Sequence, residues 1–245
     1  MNDIRECLKG PAFEFEARVR YSEVDHRGRL TLPALVNYFQ DCSTFQSEVL
    51  GVGMAWLKSE QNAWVLSHWQ IVVDRYPELC EEIAVGTFAY KFRGLMANRN
   101  FYMKDGAGDI IARADSSWVF MDLAKGKPAK PAPEHVERYG LGTPLEMPAE
   151  AHKVSVPEGA EAREPFAVLR SMIDTNEHVN NCQYIQMATE LLPRDIEARI
   201  VRVDYRRAAV LGDVVHPFVA QEPDRYVVDL RDDQGGQFVA VELMN

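Results

Sequence analysis

Residues 13–51 read FEFEARVRYSEVDHRGRLTLPALVNYFQDCSTFQSEVLG, and the hydrophobic period changes within them. Over the first nine residues apolar and charged side chains alternate. Phe13, Phe15, Ala17, Val19 and Tyr21 share one face, and Glu14, Glu16, Arg18 and Arg20 share the other. A period of two predicts a half-buried strand. After the turn-like SEVDHRG, Thr31 is placed to cap a helix with Pro33 in its first turn. Leu32, Leu35, Val36, Phe39 and Cys42 then recur at helical spacing to about Leu50, and Gly51 supplies the stop.

Working outward, strands are predicted at 63–74, 82–92, 98–105 and 109–122, with Asp105-Gly106-Ala107-Gly108 as a hairpin connection. Between Lys125 and Pro165 the periodicity fades and seven of the 13 prolines gather, which predicts a long connection holding one short helix. The second part repeats the first. A strand at 166–172, a polar loop, a helix at 181–192 and strands at 198–208, 214–221, 225–231 and 237–243 are expected. The domains are accordingly placed at 1–130 and 165–245, joined by a Pro-rich connection at 131–164. Tyr21-Ser-Glu-Val-Asp25 and Arg170-Ser-Met-Ile-Asp174 both lead from a strand through an Asp toward a helix, at an offset of 174 − 25 = 149. This period fits duplicated domains. The fold class expected is α+β, a tandem (double) hotdog of two antiparallel sheets, each wrapped on a long helix.

Composition narrows the function classes. Among 245 residues, 27 Lys+Arg against 37 Asp+Glu give a net charge of −10, which opposes general binding to nucleic acid or anionic membrane. No apolar run approaches the roughly 20 residues of a membrane helix, so no membrane insertion is expected. MNDIRECLKG lacks the apolar core of a signal peptide, and the expected compartment is cytoplasmic. Cys7, Cys42, Cys80 and Cys182 show no CxxC spacing, so reduced thiols rather than a metal site or disulfides are expected.

The chemistry is expected in Asp174-Thr-Asn176-Glu-His178-Val-Asn180-Asn181, directly before the second helix. In an extended segment, side chains at i, i+2 and i+4 project to one side, bringing a carboxylate, an amide and an imidazole together. Histidine is a natural general base near neutral pH, a carboxylate orients or activates it, and an amide N–H or the following helix start stabilises an oxyanion. This set suits attack of water on an acyl carbonyl. The same residue types also make turns and caps, and Asn180 or Asn181 is a candidate N-cap. The first-half counterparts are Asp25, Arg27 and Arg29, so only one copy carries the set. Cys182 reads as a helix-core thiol, and His26, His68, His135, His152 and His216 as solvated or structural.

On these residues the sequence resembles the acyl-acyl carrier protein thioesterases of plant plastids and bacteria, whose second half carries D-x-N-x-H-V-N-N-x-x-Y-I. Asp174, Asn176, His178, Val179, Asn180, Asn181, Tyr184 and Ile185 fill every position. Trp64-Val65-Leu66-Ser67, Arg99-Asn100-Phe101, Ser117-Trp118-Val119-Phe120-Met121 and Val203-Asp204-Tyr205-Arg206-Arg207 resemble further family motifs in the same order, from about residue 13 to 243. The resemblance implies a tandem-hotdog hydrolase that releases free fatty acid from acyl carrier protein, terminating fatty acid synthesis, without metal or organic cofactor. It makes Asp174, Asn176 and His178 the catalytic candidates. The family also places a Glu shortly after the Tyr-Arg-Arg segment, where this chain has Ala208 and Ala209. Three alternatives follow: Asp174 and His178 suffice, another acid such as Glu177 or Asp204 substitutes, or turnover is weak.

The resemblance places the acyl pocket in the first half, with Phe39, Trp56, Trp64 and Leu66 as candidate lining residues. The partner implied is acyl carrier protein bearing a phosphopantetheine-linked acyl chain. Because that carrier is acidic, a net-negative enzyme needs a local cationic patch, assigned here to Arg206 and Arg207 with Lys125, Lys127 and Lys130. An acyl-coenzyme A thioesterase and a non-hydrolytic acyl-binding hotdog protein are the other readings. A double hotdog stands alone as a pseudo-dimer or pairs again as a homodimer.

Overall fold

A computed structural model describes residues 8–149 and 153–245. The chain groups into two compact units, one of Met1–Leu66 with Val73–Pro148, the other of Ser67–Val72 with Ala149–Asn245. The first unit holds β1 (Leu8–Lys9), β2 (Ala12–Arg18), α1 (Leu32–Val49), α2 (Met54–Ser59), β3 (Asn62–Val73), β4 (Glu82–Arg93), β5 (Met96–Asp105), β6 (Ile110–Asp122), β7 (Lys127–Pro128) and α3 (Pro133–Tyr139). Its strands run in the order β1-β2-β4-β5-β6-β3. The second unit takes Ser67–Val72 of β3 and holds β8 (Glu161–Ala162), β9 (Phe166–Ala167), α4 (Asn181–Glu190), β10 (Ile200–Tyr205), β11 (Val214–Gln221), β12 (Arg225–Arg231) and β13 (Gln237–Met244). Its order is β3-β10-β13-β12-β11-β8, with β9 also on β11. The pairings β2–β4, β4–β5, β5–β6, β3–β10, β10–β13 and β12–β13 are antiparallel, and each unit packs one main helix on its sheet, as a double hotdog requires.

Local chemistry explains the two main helices. Thr31 caps α1 by accepting the Ala34 N–H at 3.3 Å, and proline follows in the first turn, where its missing N–H costs nothing. Leu32, Leu35, Phe39, Cys42 and Gln46 form the buried stripe, and Phe39 packs on Phe101 of β5 with ring centroids 5.4 Å apart. Each large apolar side chain buried there contributes roughly 1.5–3 kcal/mol. In α4, Asn180 is the cap, accepting from Cys182 N–H at 2.9 Å, and Cys182, Ile185 and Ala188 are fully buried. Cys182 is therefore the core thiol expected.

Several predicted edges move. α4 ends at Glu190 rather than 192, because Pro193 has no N–H to donate and restricts the residue before it. The strand predicted at 166–172 is only Phe166–Ala167, followed by a 3₁₀ turn at Arg170–Met172. The strand predicted at 198–208 stops at Tyr205, where the N–H groups of Arg206 and Arg207 both converge on the Phe238 carbonyl and leave the ladder. Tyr21 does not share the buried face of Phe13; β2 ends at Arg18, and the ring is 85% exposed in a 3₁₀ turn.

Candidate functional site

One five-residue turn recurs four times among the described residues, and the candidate site is one of its copies. In each, an Asp carboxylate oxygen accepts the backbone N–H groups two and four residues ahead. Asp25 Oδ1 takes Arg27 and Arg29 at 2.8 and 3.0 Å, Asp105 Oδ1 takes Ala107 and Asp109 at 3.0 and 3.1 Å, and Asp232 Oδ1 takes Gln234 and Gly236 at 2.8 and 2.7 Å. Asp174 Oδ1 takes Asn176 at 2.8 Å and His178 at 3.4 Å. The backbone closes identically in all four, and at the candidate site Asp174 N–H reaches the His178 carbonyl at 2.8 Å while Glu177 N–H reaches the Asp174 carbonyl at 3.2 Å. Such side-chain capping is why Asp leads tight turns.

The segment is therefore a turn and not the extended run from which alternation placed Asp174, Asn176 and His178 on one side. The three are brought together differently: the carboxylate gathers the backbones of Asn176 and His178, and both side chains are exposed. Ile173 bridges to Val179 across the base of the turn, and Val179 N–H is bound to the Ala209 carbonyl at 2.9 Å. Tyr184 fixes that neighbouring loop, because its hydroxyl accepts the Ala209 N–H at 2.7 Å. Burial, together with the nearby Asp213 and Asp174 carboxylates, outweighs that bond and Arg207, and pushes the Tyr184 phenol up to about 12. At the start of α4 the Cys182 N–H is already taken by the Asn180 side chain and the Gln183 N–H by the Asn180 carbonyl, which leaves fewer free donors there than an uncapped helix start offers.

Two features set the Asp174 turn apart. At the fourth position three turns place glycine at positive φ, with Gly28 at 77°, Gly108 at 91° and Gly235 at 80°; here Glu177 holds φ 61°, a conformation that costs an L-residue about 1 kcal/mol. In those same three turns the second carboxylate oxygen takes an arginine: Arg27 at 3.1 Å, Arg75 at 3.2 Å, and Arg207 on Asp232. Asp174 Oδ2 has no hydrogen-bond donor among the described residues, so one oxygen of this half-buried carboxylate is left unshared in the turn that carries the imidazole.

Asp204 is not a stand-in for the acid absent at Ala208. Along β10 its neighbour Tyr205 points toward α4, donating to the Asn181 carbonyl at 3.0 Å, so Asp204 faces the other side. There it bonds His68 Nδ1 at 3.0 Å, Val154 N–H at 2.9 Å and Arg206 at 3.1 Å. Burial pushes its carboxyl up, but the hydrogen bonds from His68 and Val154 prevail and hold it below the usual range. Ala208 itself is exposed in the loop after β10.

Of the histidines read as solvated or structural, His68 and His135 take structural places in the core, and His216 is ion-paired at the surface. His68 is buried on Asp204; His135 is buried, and the Trp64 indole N–H donates to its Nε2 at 3.2 Å; His216 bonds Asp233 at 2.7 Å. His152 and Cys7 lie outside the described residues. His68 and Asp204 stand directly opposite in register on adjacent strands, a pairing 136 residues apart that has no local sequence signal.

In the first unit, Trp56 and Trp64 converge on His135, with ring centroids 4.7 and 5.9 Å away. Phe39 lies instead on Phe101, and Leu66 is buried on β3. In the second unit Arg206 is ion-paired with Asp204, and Arg207 with Asp232 while lying over the Phe238 ring at 4.6 Å. Lys125 pairs with Asp122 at 2.5 Å. No helix is long and apolar enough to cross a membrane among the described residues.

Comparison with known proteins finds two family models on this chain, the acyl-ACP thioesterase N-terminal domain over residues 10–139 and the C-terminal domain over 156–240. An oleoyl-acyl carrier protein thioesterase of Coriandrum sativum is 25% identical over 237 residues, covering 88% of this chain and 64% of its own length. This chain thus spans just under two thirds of that plant relative. Among solved structures, an acyl-ACP thioesterase from Bacteroides thetaiotaomicron superposes with a TM-score of 0.87 at 24% identity, covering 96% of this chain and 97% of its own. The 12:0-ACP thioesterase from Umbellularia californica gives 0.86 at 18%, covering 97% and 98%.

Proposed function

This chain belongs to the acyl-ACP thioesterase family, and from that premise we propose that it hydrolyses the thioester of acyl-acyl carrier protein, releasing free fatty acid. In this reading His178 takes a proton from water, and the water oxygen bonds to the acyl carbonyl carbon. The carbon–sulfur bond then breaks, and the proton passes to the departing phosphopantetheine sulfur. The Asn176 amide donates to the carbonyl oxygen as negative charge develops on it. Asp174 holds both residues through Oδ1 and keeps Oδ2 for the imidazole or the attacking water. The observation that carries the reading is that unshared oxygen, since the other three turns use theirs on arginine.

The acyl chain is proposed to occupy the first unit, where Trp56 and Trp64 border one aromatic cluster; Leu66 and Phe39 complete the lining assigned from sequence. Arg206 and Arg207, exposed although ion-paired, are proposed to dock the acidic carrier. The test is hydrolysis of short-, medium- and long-chain acyl carrier proteins beside the matching coenzyme A esters. Turnover of carrier-bound chains is expected, weakened by charge reversal of Arg206 and Arg207. Turnover of coenzyme A esters alone would replace this reading with an acyl-coenzyme A thioesterase.

A further inference from the structure

Arg99 is a buried cation without an acid. It lies on β5 in the core of the first unit, 8% exposed, and its Nη1 donates to Gln46 Oε1 at 2.5 Å and to Thr87 Oγ1 at 3.2 Å. Both acceptors are neutral and are themselves fixed, Gln46 by donating to the Pro11 carbonyl at 3.0 Å and Thr87 by donating to the Asn100 carbonyl at 2.9 Å. The guanidinium sits over the Tyr139 ring at 5.3 Å and beside Phe101 at 6.0 Å. A guanidinium carries five N–H donors. Those on Nε and Nη2 meet no acceptor among the described residues.

The second unit shows the ordinary solution to a buried charge. There the fully buried Glu242 carboxylate is matched by Arg202 and Arg225. Arg99 has no such match: burial lowers its pKa, and the groups that oppose this are the Tyr139 phenol and the Cys42 thiol, not a carboxylate. An unpaired charge in a core is costly, and buried charges are ordinarily paired. The unused edge of the fork has the geometry that takes a carboxylate through two parallel N–H bonds. Tyr139 links this edge to apolar surroundings, because it packs with Val52 and Ala89, and Leu50, Trp56 and Phe92 adjoin them.

We propose that Arg99 anchors a carboxylate-binding site inside the first unit, with an aliphatic chain lying over the Tyr139 cluster. The placement of the chain rests on the reading of this unit as the acyl compartment. The carboxylate has two sources, a free fatty acid or the far end of a dicarboxylic acyl thioester.

Calorimetric titration of the whole protein with decanoate and with decanol near neutral pH tests it. Wild type is expected to bind decanoate at least 10-fold tighter than decanol, and Arg99→Met, of similar length and uncharged, to lose the difference. Equal affinity of wild type for both ligands overturns the proposal whether or not the variant folds, and so does a preference that survives Arg99→Met. Turnover of a ten-carbon dicarboxylic acyl carrier protein that Arg99→Met loses identifies the far-end carboxylate as the natural ligand. Decanoate preference without that turnover identifies the free acid. If no thioester at all is hydrolysed while the decanoate preference stands, the proposed activity fails and this site remains.

Discussion

The turns led by Asp25 and Asp174 lie 149 residues apart, share the same backbone hydrogen bonds, and end in the same way, with Thr31 and Asn180 capping the next helix. What differs is the chemistry mounted on them. Asp25 is closed on both oxygens, by the turn and by the Arg27 guanidinium, and its glycine takes the left-handed position without strain. Asp174 is closed on one oxygen, carries Asn and His where its twin has two arginines, and forces Glu177 into the left-handed region. A duplicated strand–turn–helix has kept its framework in both copies and freed the side chains of one. Strain and an unshared carboxylate coincide at the five residues proposed to carry the chemistry, and the first copy, with neither, serves as their structural control.

The largest expected effect follows directly. His178→Ala should lower kcat on acyl carrier protein by about 10²–10⁴-fold, the usual worth of a general base, and Arg29→Ala, at the matching position of the first turn, should leave it within about twofold. Next, Asp174→Asn preserves an acceptor for the turn but removes the charge beside His178, so kcat should fall about 10-fold or more with little loss of stability. Asp25→Asn should do the reverse, costing about 1 kcal/mol in denaturant unfolding and little activity. If both Asp variants lose activity equally, the division between the copies is wrong.

Smaller effects probe stability. His135 is buried among Trp56, Trp64, Phe120 and Tyr139, and desolvation, with Arg138 nearby, lowers its pKa from 6.5 to about 4. Because the unfolded chain binds a proton below 6.5 and the folded one does not until about 4, this stability is full above 6.5 and is lost as the pH falls between those values. His135→Phe should remove a loss on the order of 2 kcal/mol across that window, read from urea midpoints at several pH values. Last, Glu177→Gly should stabilise the protein by about 0.5–1 kcal/mol by relieving the positive φ, and Gly28→Ala should destabilise it by a similar amount.

Much of this was legible in the chain. The strands 214–221 and 225–231 match to the residue, because each is a run of β-branched and aromatic residues ended by turn formers. The helix from Leu32 was marked by Thr31, Pro33 and an apolar stripe. Alternation alone reads the Asp174 turn as extended, yet Asp25–Gly28, Asp105–Gly108 and Asp232–Gly235 share one D-x-x-G spacing, and Glu177 conceals the fourth. Other features had no local signal. His68 finds Asp204 only through strand register, and Arg99 reads as an ordinary polar strand residue until Gln46 of α1 and Tyr139 of α3 close over it.

The most direct test is to give the second turn the residues of the first. Asn176→Arg combined with His178→Arg should leave the unfolding midpoint within about 1 kcal/mol of wild type, because both positions hold the turn through backbone N–H groups and their side chains are exposed. The proposed hydrolysis of the acyl-acyl carrier protein thioester should fall by at least about 100-fold. A folded double variant that still hydrolyses its substrate would contradict the assignment of the chemistry to this turn.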